Sequence, residues 1–64
     1  MTYLVHWIHL DPSIHVDDQG DACIRSDQLG NTATSRGLLY VEAVEQIGRE
    51  QHRPVVVTSL VAVA

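Results

Sequence analysis

A chain of 64 residues has room for one small domain spanning residues 1–64, and folding is expected to bury only about 60% of its surface, so self-association or partner binding should add to its stability. Hydrophobic residues make up 45% and charged residues 19%, a globular balance, and the single cysteine, Cys23, excludes a disulfide scaffold. Eight acids against four arginines give a net charge of -4 with no basic stripe to displace nucleic-acid counterions, so a protein partner with a basic surface is expected and direct nucleic-acid binding is not.

Thr2 to Leu10 is rich in aromatic and β-branched residues and reads as a strand. Alternation puts Leu4, His6, Ile8 and Leu10 on one face and Tyr3, Val5, Trp7 and His9 on the other. Both faces are partly apolar, which predicts a position inside the sheet. Asp11-Pro12-Ser13 and Asp18-Gln19-Gly20 are turn signals. Between and after them, residues 13–17 and 21–26 are expected to pair as a hairpin, with Ala22 and Ile24 on one face.

Asp27 to Thr34 reads as a loop. A helix follows, capped by the Thr34 or Ser35 hydroxyl. At 100° per residue Tyr40, Val41, Val44, Ile47 and Gly48 form one stripe with Ala43 at its edge, while Glu42, Glu45, Arg49 and Glu50 fall opposite. Pro54 should end the helix by His52, because it disfavours helical geometry in Arg53. Val55 to Val63 reads as a last strand, with Val55, Val57, Ser59, Val61 and Val63 on one face and Val56, Thr58, Leu60 and Ala62 on the other. Being apolar on both faces, it is expected in a sheet interior or a subunit interface.

The expected order is therefore β-β-β-α-β, a small two-layer α+β sandwich with a mostly antiparallel four-stranded sheet and one helix on one face. Its fourth strand would run parallel to the first and pair with it. No run approaches the roughly 20 apolar residues of a membrane span, and no basic region precedes the N-terminal apolar stretch, so a cytoplasmic protein is expected.

The chemistry-bearing residues form no catalytic signature. His6 and His9 fall on opposite strand faces and cannot share an ion, so no metal site is expected and His9→Ala should be nearly silent for stability. In the run Asp17 to Asp21 the glycine arrives too early for a calcium loop. Cys23 is a lone thiol within a strand, and the four glycines form no phosphate-cradling loop. A protein without catalytic residues or cofactor is expected.

The acids are the strongest signal. Asp17, Asp18 and Asp21 near the turn and Glu42 and Glu45 on the helix are the expected partner-binding residues, joined by the aromatic anchors Trp7 and Tyr3. No motif carries a family. In size and acidity the chain resembles small phage-encoded inhibitors of host machinery, the anti-CRISPR proteins among them. That resemblance implies stoichiometric binding over a basic nucleic-acid site of a partner complex. The alternatives are a homo-oligomeric subunit with its function at the subunit interface and a His/Asp metal-site protein.

Overall fold

The computed structural model describes residues 1–11 and 18–63 and exposes 4347 Å². Among the described residues three strands and one helix follow in the order β1 (Thr2–His9), β2 (Gln19–Arg25), α1 (Ala33–Gln51) and β3 (Val55–Ala62). The sheet has the spatial order β2-β1-β3, with β1 antiparallel to both neighbours.

This corrects the expected four-stranded sheet. Residues 19–25 pair with β1 itself, in register Tyr3↔Ile24, Val5↔Ala22 and Trp7↔Gly20, not with residues 13–17. The segment 13–17 lies outside the described residues. With one strand fewer before the helix, the returning strand reverses direction. β3 does lie beside β1, but antiparallel to it, and β2 and β3 are parallel to one another with the helix crossing between them. Among the described residues β3 is therefore an edge strand and not an interior one.

One face of the sheet carries the core. Tyr3, Val5, Trp7 and His9 of β1, Ile24 of β2 and Val55 and Leu60 of β3 are buried against Leu39, Ala43 and Ile47 of the helix. Each large apolar side chain so covered contributes about 1.5–3 kcal/mol. Leu39, Ala43 and Ile47 recur every four residues, so they stand above one another on one helical face. The buried stripe is thus rotated from the expected one: Val41 and Val44 are exposed, and Leu39 is fully buried. Two hydrogen bonds fix the rotation. The Ser26 hydroxyl donates to Glu42, and Gln46 Nε2 donates to the Arg25 carbonyl at 3.1 Å, which ties that flank of the helix to the end of β2.

The helix starts two residues earlier than the cap signal suggests. Thr32 is the N-cap, accepting from the Ser35 amide at 3.1 Å, and the Ser35 hydroxyl accepts from the Gly30 amide at 2.8 Å. It ends as expected, with His52 in the left-handed region at φ 56°.

A β-bulge governs the faces of β3. His6 pairs with Ser59 but Trp7 pairs with Val57, which leaves Thr58 as the extra residue, its hydroxyl donating to the His6 carbonyl at 3.2 Å. Past Thr58 the alternation changes phase. Val55, Val57 and Leu60 all point at the helix side, although simple alternation sets Leu60 on the other face.

Candidate binding surface

Among the described residues the helix covers one face of the sheet and nothing covers the other. Across the ladder this face presents Cys23, Leu4 and Val61 in one row, Asp21, His6 and Ser59 in the next, and Gln19, Ile8 and Val56 in a third. Leu4 is 39% exposed and Val61 57%, both large apolar side chains open to solvent. In the middle of the face His6 Nδ1 lies 2.8 Å from Asp21 Oδ1. The Cys23 thiol is exposed and free.

The predicted docking acids do not gather on one surface. Asp17 lies outside the described residues. Asp18 turns inward: its Oδ1 is 3.1 Å from His9 Nδ1, and Arg53 Nη1 donates to it at 3.4 Å. Asp21 lies on the opposite face of the sheet, paired with His6. Glu42 is half-buried as acceptor for Ser26. Glu45 is exposed, at a shallow depression of about 440 Å³ between α1 and the end of β2, where Asp27 and Glu42 stand among Arg25 and Arg49. That depression mixes both signs of charge, so it is not an acidic patch. Tyr3 and Trp7 are core, at 2% and 6% exposure, with the Tyr3 hydroxyl donating to the Gln28 carbonyl. Neither ring is offered to a partner in this fold.

His6 and His9 do fall on opposite faces, as alternation requires. Among the described residues no group of three His, Cys, Asp or Glu side chains stands close enough to hold a metal ion. His9 is nevertheless not a bland surface histidine. Its ring lies 5.2 Å from that of Trp7, and its Nε2 is buried with no hydrogen-bond partner among the described residues. Sequence reasoning missed the His9–Asp18 pair because both residues carry solvent-facing chemistry, and only the β1–β2 register brings them together. No helix among the described residues is long and apolar enough to cross a membrane.

No protein-family model, curated protein or solved structure matches the chain.

Proposed function

We propose that the protein is a small non-catalytic binding protein that takes a protein partner on the uncovered face of its sheet. The observation that carries this is the set Leu4, Ile8, Val56 and Val61, two apolar pairs flanking the polar row of Asp21, His6 and Ser59 on a face that no second layer covers among the described residues. Apolar side chains gathered on one exposed face often mark a binding surface. The chemistry of the face asks for a partner with an apolar surface bordered by basic groups. Leu4 and its neighbours supply the apolar area, Asp21 is the anionic group among them, and the net charge of -4 steers a basic surface toward it. Inhibition by covering a basic nucleic-acid site, the role that size and acidity suggest, is the form of function in which this chemistry would be used.

The test compares capture of proteins from the lysate of the producing cell by the immobilised parent, by Leu4→Glu with Val61→Glu, and by Asp21→Arg with Glu45→Arg. All four positions are exposed, so both variants should keep the parent's circular dichroism. The first variant should lose a saturable, stoichiometric partner by tenfold or more, and the second should remove the salt-sensitive part of binding. If the folded Leu4→Glu/Val61→Glu protein captures the same partner as well as the parent does, the face is not the binding site.

A further inference from the structure

Among the described residues the outer edge of β3 has no partner strand. β3 pairs only with β1, so among the described residues its other side is open. The Val63 amide donates to the Thr2 carbonyl at 3.0 Å, which turns Val63 and, by the period of two, Val61 toward β1. The N–H and C=O groups of Leu60 and Ala62 then point outward. From Val55 to Ala62 the strand has no charged residue and no proline, two of the devices that blunt an edge, and carries only the bulge at Thr58. The other edge of the sheet, β2, carries Gly20, Asp21 and Arg25.

The helix flank above this edge carries no acid. Glu42 and Gln46 hold one flank over the end of β2, so the opposite flank lies on the β3 side. By helical spacing that flank carries Tyr40, Val44, Gly48 and Gln51, with no acid among them, and the Arg36 guanidinium lies over the Tyr40 ring, 5.6 Å from its centre. Val44 is exposed, and Gly48 has no side chain to hold a neighbour away.

We infer that two copies of this chain join edge to edge through β3, antiparallel about a two-fold axis, forming one six-stranded sheet with both helices on the same side. Three observations select a second copy as the occupant. An uncharged strand is self-complementary under a two-fold, because apolar and small residues meet their own kind. The charged groups Glu42, Glu45 and Arg49 stand on the far flank, so two chains of charge -4 can meet without bringing acids together. The area is sufficient. An eight-residue strand is about 26 Å long, and with a molecular thickness of 17–20 Å the contact covers about 500 Å² per copy, about 1,000 Å² in total, the threshold for a specific interface.

This goes beyond the binding role proposed above and bears on it. One uncovered sheet face, three strands wide, measures about 370 Å², half of what a partner normally covers. Edge pairing makes two such faces continuous, and the joined platform then matches a standard interface of about 800 Å² per partner.

Sedimentation equilibrium from low micromolar to near-millimolar protein tests the inference, with circular dichroism confirming that each variant is folded. The parent should approach twice the 7.1 kDa chain mass. Ala62→Pro removes an outward amide, and Val44→Glu places a charge on the helix flank. Each should weaken the dimer by tenfold or more. Leu4→Glu, on the uncovered face of the central strand, should leave the dimer unchanged while weakening partner capture. A parent that stays monomeric throughout overturns the inference and leaves the face reading standing. So does a dimer that Leu4→Glu disrupts and that Val44→Glu and Ala62→Pro spare, since that dimer is built face to face.

Discussion

The Trp7 indole lies over Gly20 across the β1–β2 ladder, so closely that a Cβ at Gly20 would meet Trp7 Cζ2 at 3.0 Å and Cε2 at 3.3 Å. Glycine is required here by the ring above it and not by backbone conformation. Gly20→Ala should force the indole off its position and cost about 1–3 kcal/mol. Gly37, on the helix, is the contrasting case, because a Cβ there meets nothing within 4 Å. Gly37→Ala should stabilise the helix by about 0.5–1 kcal/mol. Urea unfolding checks both, and midpoints that move in the same direction would contradict the packing described for Trp7.

His9 and Asp18 pair inside the fold at the connecting end of the β1–β2 ladder, with side chains 6% and 9% exposed. His9→Ala should therefore not be silent, against the expectation from a surface histidine. It empties a buried site and takes a hydrogen-bond partner from a buried carboxyl, at a cost of about 2–3 kcal/mol. Arg53→Ala should cost less than about 1 kcal/mol, because the guanidinium is half exposed and its contact with Asp18 is long. A double-mutant cycle of His9→Ala with Asp18→Ala should give a coupling of about 1–3 kcal/mol. Additive effects would mean that the two side chains do not interact.

The two helix ends give a third pair of measurements. Thr32→Ala removes the oxygen that receives the Ser35 amide and should cost about 1 kcal/mol. His52→Gly relieves a side chain held in the left-handed region and should add about 0.5–1 kcal/mol. Thermal melts of the two variants should bracket the parent.

Charge reversal now separates two kinds of acid. Asp18→Arg puts a cation into a buried pocket already occupied by His9 and Arg53, and should destabilise by about 3 kcal/mol or more. Glu45→Arg changes an exposed helix position and should stay within about 0.5 kcal/mol. Equal effects on the unfolding midpoint would show that Asp18 is a surface residue.

The strands β1 and β3 and the helix were legible because each is long and strongly patterned. Ala22 and Ile24 also face the core together, as the short pattern of β2 required. The number of strands was misjudged because Ile14 and Val16 alternate with polar neighbours just as β2 does. Alternation alone cannot say which run β1 selects as its partner. The helix stripe was misplaced because Leu38, Leu39, Val41 and Val44 are apolar over much of the circumference. Which face goes down is decided by Glu42 and Gln46 reaching Ser26 and Arg25, a tertiary match invisible in the helix itself. The acids were legible as charge but not as surface. Asp18, Asp21 and Glu42 have partners on three different sides of the fold, and only the register reveals that.

The extra residue at Thr58 has a consequence for how faithfully this chain finds its own pairing. A strand reading Val-Val-Val-Thr-Ser-Leu-Val-Ala offers a neighbour several nearly equivalent alignments, the kind of degeneracy that lets strands slip. The bulge breaks that equivalence, because the two halves of β3 alternate in opposite phase and only one alignment buries Val57 and Leu60 together. A slip by one residue would turn the helix-facing side chains of both halves outward and bring Val56 with Ser59 inward. The bulge thus acts as a notch in an otherwise featureless rail, and it selects one alignment of β3 against β1.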